Sequence, residues 1–282
     1  MSLKDVLDLL LSAFRFAENQ RNPVRQQASR VLRAFEAHGI SRTQINRVLP
    51  NSLRLPSMKW ANPDELKECL TQEHLEWIQN FFALERAWIE GEGNEGNQEI
   101  GCYKTPQKLN SWLEANKNRE EGLNFRLYLI TGFDGPYDVH RKGDFALVLE
   151  QLIDVDEHES TSRFYHLSPG AHFSHPSSVL HLSQVLAVAY HHGAMMRRLK
   201  LKPHDAYRLS QNEGLIAEWI CAAQPQAIEA DHEFWEHFSG AEPSLVALRE
   251  EAESSLEEAG LKALVTEIRE DRERFMRRGT AG

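Results

Sequence analysis

Cysteine is scarce in this 282-residue chain. Cys69, Cys102 and Cys221 are odd in number and far apart, which argues against a disulfide framework and suits a reducing compartment. Long apolar runs are missing. No window approaches the roughly 20 uninterrupted apolar residues that a membrane span needs, so a spanning protein is excluded and a cytoplasmic one expected. The first residues do not read as a signal peptide, because Asp5 and Asp8 break the apolar run around Val6–Leu11. Several reaction motifs are missing as well. There is no Gly-x-Ser-x-Gly elbow and no cysteine in a recognisable nucleophile setting. Gly91, Gly93 and Gly96 do not follow the phosphate-loop pattern and lack its Lys-Ser/Thr. No catalytic residue, cofactor or metal is assigned from the sequence.

What is present is a well-stocked globular chain. Residues are 41% hydrophobic and 26% charged, and 13 Phe, 6 Trp and 6 Tyr run along its whole length, which excludes low-complexity disorder. That material suffices for one large core or two ordinary ones. The net charge is −10 but unevenly spread. Between Arg21 and Trp60, eight cations (Arg21, Arg25, Arg30, Arg33, Arg42, Arg47, Arg54 and Lys59) face one acid, Glu36. Arginine forks onto phosphates and guanine edges better than lysine. A basic module on an acidic body suits a DNA-binding regulator. The competing readings are a basic face paired with the chain's own acids, or one that meets an acidic protein.

Hydrophobic spacing divides the chain. Leu3, Val6, Leu7, Leu10 and Phe14 predict a helix over 3–16. Ala28, Val31, Leu32 and Phe35 predict a second helix, closed by Gly39. Ser41-Arg42-Thr43-Gln44 fits a capping box and predicts a third, with Ile45, Val48 and Leu49 inward and Pro50-Asn51 as its stop. Residues 50–61 read as a loop. Asn62-Pro63 and Thr71 start further helices, the second burying Leu75, Ile78 and Phe82. The polar, glycine-rich stretch 91–98 is the best boundary, and Thr105-Pro106 starts a connecting helix. Strands are predicted at 125–133, 145–155, 162–167 and 195–201, and helices at 176–190, 204–210 and 213–223. From Pro243 an acidic helical tail follows, interrupted by Gly260, which either crosses a dimer partner or caps its own core. The expected class is α+β: a helical domain over 1–91, a linker and helix over 92–124, a small antiparallel sheet with helices over 125–240, and a tail over 241–282.

Residues 26–91 resemble the lambda-repressor-like (Xre-type) helix-turn-helix modules of bacterial regulators. The resemblance rests on Arg33–Gly39, on Ile40–Asn46, and on Leu75–Gly91, which closes as Trp88-Ile89-Glu90-Gly91. It implies a helix-turn-helix fold that docks on double-stranded DNA. One departure matters. Where the family's recognition helix should follow, this chain has the proline-bearing stretch 50–61, so the reading element is either short and displaced or lost.

On this view Arg42, Thr43, Gln44, Asn46 and Arg47 sit on a capped helix, where forked and amide side chains can hold phosphates and read base edges. Arg54 and Lys59 add contacts from the loop. Alternatively, Gln44 only closes its capping box and the arginines are solvated. The second domain would sense a small-molecule or protein effector, and the whole would be a homodimer. Two rivals remain. In one, the α+β domain is an enzyme or metal protein working around Asp154–His175, with Asp154, Asp156, Glu157 and Glu159 as clustered acids and His172-x-x-His175 as ligands. In the other, both domains serve protein assembly. His166 and His172 are candidates for a pH- or ligand-sensing role.

Overall fold

The computed structural model describes residues 22–118, 122–133, 143–155, 160–223, 228–229 and 243–279. The helix expected over 3–16, Arg21, and the carboxylates Asp156, Glu157 and Glu159 lie outside the described residues. The chain divides into two compact units, Met1–Gly96 and Asn97–Gly282. The connecting helix and the acidic tail thus belong to the second unit rather than standing apart. The α+β class expected from the sequence is the architecture found.

The first unit is helical: α1 Pro23–Ala37, α2 Ile45–Val48, α3 Pro63–Leu66, α4 Gln72–Phe82 and α5 Arg86–Glu90. Local chemistry sets each boundary. Asn22 accepts the Arg25 amide at 3.0 Å and Pro23 opens α1, while Gly39, at φ +76°, lets the chain leave its far end. Asn62 accepts two amides at the start of α3, and Thr71 and His74 cap α4 reciprocally. The predicted third helix is only four residues long. The loop 50–61 is wound into two 3-10 turns, Asn51–Leu53 and Ser57–Trp60, because Pro50 and Pro56 forbid a continuous helix. Phe35 lies at the centre, edge-on to Trp60 at 5.8 Å and to Phe82 at 5.1 Å, and all three are fully buried.

The second unit is built on one sheet. Helix α6, Pro106–Ala115, leads into β1 Phe125–Thr131, β2 Phe145–Asp154 and β3 Ser160–His166. Then come α7 Pro176–His191, β4 Met195–Lys200, α8 Pro203–Ser210, α9 Ile216–Ala223 and β5 Ile228–Glu229. Helices α10, Pro243–Glu258, and α11, Lys262–Gly279, close it, with Gly260 at φ +85° between them. The strand order is β3-β2-β1-β4-β5. The sheet was expected to be antiparallel; β1 and β4 instead pair in parallel. The physical reason is α7. After the meander β1-β2-β3, this helix carries the chain back across the sheet, as parallel strands require.

The buried pattern explains the packing. β2 is buried at every position from Phe145 to Leu152, so both its faces are covered. Helix α8 packs on β1 and β2, and α9 on β3. Helix α7 is buried without a break from His181 to Ala189 and lies against α6, α10 and α11. Of the two expectations for the tail, the described residues fit the second. Gln184 donates to Ser255 at 2.8 Å, Tyr190 donates to Asp271 at 2.9 Å, and Ala252, Leu256, Leu264, Val265 and Ile268 are buried. Glu253 ties the two tail helices, accepting from Arg269 and Arg272 at 2.6 Å each.

Candidate functional site

The residues expected to touch DNA mostly serve their own unit. Arg42 bonds Glu36 at 2.6 Å and the Ala61 carbonyl at 2.5 Å. Lys59 sits 2.9 Å from Glu65 and 3.7 Å from Glu68, and the Glu65 carboxylate pushes its pKa upward. Ser41 donates both its amide and its hydroxyl to the Gln44 side chain, and its hydroxyl also pairs with Thr43 at 3.1 Å. Asn46 staples the turns together. It donates to the Leu55 carbonyl at 2.7 Å and accepts the Leu55 amide and the Trp60 indole N–H. Arg47 and Arg54 are exposed, although Arg54 spends its Nε on the Leu49 carbonyl.

The charge balance follows. Over residues 22–96 nine Lys+Arg stand against ten Asp+Glu, so the cationic run 21–60 is compensated within the same unit. Arg25 meets Asp64 across 39 residues of sequence. Arg30 donates to the Trp88 and Gly93 carbonyls, and both Arg30 and Arg33 stack on the Trp88 ring. Such exposed pairs are weak, and a polyanion can compete for them. Still, the neighbouring carboxylates oppose it.

The second unit holds a concave site. A cleft of about 450 Å³ opens where β3 ends and α7 begins, within the roughly 300–1,000 Å³ usual for small-ligand pockets. Three segments build it. Residues 98–100 run beside the end of β3, with the His166 amide donating to the Gln98 carbonyl and the Ile100 amide to the His166 carbonyl, and bring Glu99 and Tyr103 to the rim. The loop after β3 supplies Ser168 through Ala171, and the start of α7 supplies His175, Ser177, Ser178 and His181. No side chain caps α7 and no acid occupies its first turn, so the positive end of the helix dipole is uncompensated by its own helix.

Two buried polar atoms in this lining lack partners. Ser168 is 3% exposed and its Oγ makes no hydrogen bond among the described residues; His181 is 2% exposed and its Nδ1 makes none there either. A buried polar group without a partner costs about 1–3 kcal/mol, so such a pair in one cleft calls for an explanation. Burial pulls the His181 pKa down to about 4, against the Leu167 carbonyl that raises it. The ring is therefore neutral at pH 7. Its Nε2 lies 3.4 Å from the Leu167 oxygen, which places the ring proton there and leaves Nδ1 as an acceptor.

The arrangement does not favour covalent chemistry. The Cys102 Sγ is 3.9 Å from His181 Nε2, but burial pushes its thiol up to about 12, so a thiolate is absent at neutral pH. His172 spends its Nδ1 on Ser174, both amide and hydroxyl, and its ring stands edge-on to His175 at 5.7 Å between centroids. His166 is fully committed between the Leu209 carbonyl and the Ser168 amide, and burial holds its pKa near 4. Among the described residues no cluster of three or more His, Cys, Asp or Glu could hold a metal ion. Glu150, a deeply buried carboxylate on β2, accepts from Arg126, Tyr128 and Ser162, which saturates it. Comparison of the chain with family models, with curated proteins and with solved structures yields no match.

Of the sequence candidates around this cleft, only His175 was named for a binding role. Ser168, His181 and Glu99 were missed. Their sole signal was position: small polar residues in Ser168-Pro169-Gly170 between a strand and a proline-opened helix, the layout in which α/β folds hold ligands.

Proposed function

We propose that the protein is a ligand-responsive regulator whose α+β unit holds a small polar molecule in the cleft at the start of α7. The observation that carries this reading is that two residues lining one cleft, Ser168 and His181, each hold a buried polar atom, Oγ and Nδ1, without a partner among the described residues. A ligand that completed both hydrogen bonds would recover what their burial costs. Thermal unfolding of the full chain against a panel of polar metabolites tests it. A ligand at about a hundredfold excess over its Kd adds roughly 2.7 kcal/mol to the unit that holds it. A panel in which nothing raises Tm, or raises it equally in Ser168→Ala, refutes the reading.

The helical unit is then the output module, and double-stranded DNA is its proposed partner. The exposure of Arg47 and Arg54, on α2 and the turn after it, supports this second element. Binding measured by fluorescence anisotropy at low salt should weaken steeply as salt rises, and the double change Arg47→Ala with Arg54→Ala should lower the slope of that dependence by about two. No binding at low salt would remove DNA from the reading and leave protein contacts as the output. A homodimer would bring two such modules to adjacent half-sites, with ligand occupancy shifting their spacing.

A further inference from the structure

The helical unit carries one apolar side chain that its own fold leaves bare. Met58 is 80% exposed, the barest large apolar side chain among the described residues. A fixed backbone presents it. Pro56 opens the 3-10 turn Ser57–Trp60, the Lys59 amide donates to the Pro56 carbonyl at 2.8 Å, and the Ala61 amide donates to the Met58 carbonyl at 3.1 Å. Two residues on, Trp60 is fully buried with its indole N–H on Asn46. The turn is tied down on both sides of a methionine whose side chain stands in water.

The charges beside it are sorted. Arg42 and Lys59 are held by Glu36 and Glu65, while Arg47 and Arg54 meet no carboxylate among the described residues. Asn46 brings these two cations to the same knob as Met58. It precedes Arg47 in α2, and its side chain holds both backbone groups of Leu55, next to Arg54, as well as the Trp60 ring. Arg54 in turn bonds the Leu49 carbonyl at the end of α2. The knob therefore offers two guanidinium groups without a counter-ion and one apolar tip. The guanidinium groups select a polyanion, and the tip selects a flat apolar slot. A base step of duplex DNA supplies both once it is unstacked. A lipid surface does not suffice, because one methionine buries far less apolar surface than a single fatty chain, and even that chain anchors only marginally. Helix α2, four residues long, rises only about 6 Å and is too short to fill a major groove about 12 Å wide, whereas apolar wedges enter from the narrower minor groove.

We propose that the turn Ser57–Trp60 is a DNA wedge: Met58 enters a base step from the minor groove, Arg47 and Arg54 hold the flanking phosphates, and the duplex kinks toward its major groove. The resulting selectivity reads deformability rather than base letters. Pyrimidine–purine steps such as TpA unstack most easily and are preferred, and stiff A-tracts are disfavoured.

This inference rests on double-stranded DNA being the partner of the helical unit, and the test separates the two. The full chain is titrated by fluorescence anisotropy at low salt into short duplexes that differ only at the centre: a TpA step, an A-tract or a mismatch. Energy transfer between end labels reports bending. The wild type should bind the TpA and mismatched duplexes about tenfold more tightly than the A-tract, and transfer should rise on binding. Met58→Ala should remove the preference and the bend while leaving the salt dependence unchanged, and Met58→Leu should keep both. Arg47→Ala with Arg54→Ala should do the reverse, lowering the salt slope by about two and leaving the preference in place. Met58→Ala is safe for folding because the removed atoms lie in solvent, and an unchanged Tm checks this. If the wild type binds and Met58→Ala binds and bends the duplex equally, the wedge is wrong and DNA stands as the partner. If no duplex binds at low salt, both fall.

Discussion

Acid should unfold the α+β unit through two histidines well before its carboxylates are titrated. His166 and His181 are buried, and burial lowers each pKa from 6.5 to about 4. In the unfolded chain both regain the ordinary value. As pH falls from 6.5 towards 4 the unfolded state takes up protons that the folded state refuses, so stability declines; above 6.5 and below 4 these groups add no slope. One pH unit of full mismatch is about 1.4 kcal/mol per group, and because each unfolded ring is only half protonated at pH 6.5, the pair removes about 3 kcal/mol between pH 6.5 and 5. Against a typical domain stability of about 5–15 kcal/mol, that is a large share. Urea denaturation followed by circular dichroism at pH 7, 6 and 5 reads the loss as a falling midpoint, and His166→Gln should halve the slope. A midpoint that stays constant from pH 7 to 5, or NMR titration of either ring near pH 6.5, would refute the reasoning.

Other outcomes follow from single contacts. Phe35→Ala leaves a cavity between Trp60 and Phe82 and should cost the helical unit about 3–5 kcal/mol, read from its denaturation midpoint. Asn97→Ala should cost about 2–3 kcal/mol in the α+β unit, because Asn97 is fully buried and its side chain joins the Phe164 carbonyl to the Ile216 amide. Glu253→Gln weakens the tie between α10 and α11; the expected cost is about 1–2 kcal/mol, since Arg269 and Arg272 retain access to water, and hydrogen exchange should rise first in those helices. His38→Phe in the helical unit should flatten that unit's acid sensitivity, because burial holds His38 near 4 and it stacks on Phe82 at 4.1 Å.

Much of the architecture was legible because hydrophobic spacing is a local property. The strand predicted at 145–155 is found as Phe145–Asp154, and the helix predicted at 176–190 as Pro176–His191. Proline and glycine marked ends correctly at Gly39, Pro106 and Gly260. What could not be read locally was pairing. Nothing in Met195–Lys200 says that it lies parallel to β1, because that depends on where α7 returns the chain. The surroundings of the cationic run were out of local reach for the same reason: a window of 40 residues does not contain Asp64, Glu65 or Glu68, which fold back onto Arg25 and Lys59. Asn46, expected as a base-reading amide, also staples the turns through Leu55 and Trp60, contacts that only the folded chain supplies. The cleft left almost no trace, since Ser168 and His181 are separated by a loop and have no periodicity in common.

The cover of α7 has a consequence for synthesis. This helix is apolar on nearly every side, and part of that surface meets only α10 and α11, which begin some fifty residues after it ends. While a ribosome translates that interval, a greasy rod waits with its outer face bare. The nascent chain is a natural client for a chaperone during those seconds, and any stop codon ahead of position 243 should yield an insoluble product rather than a smaller working one.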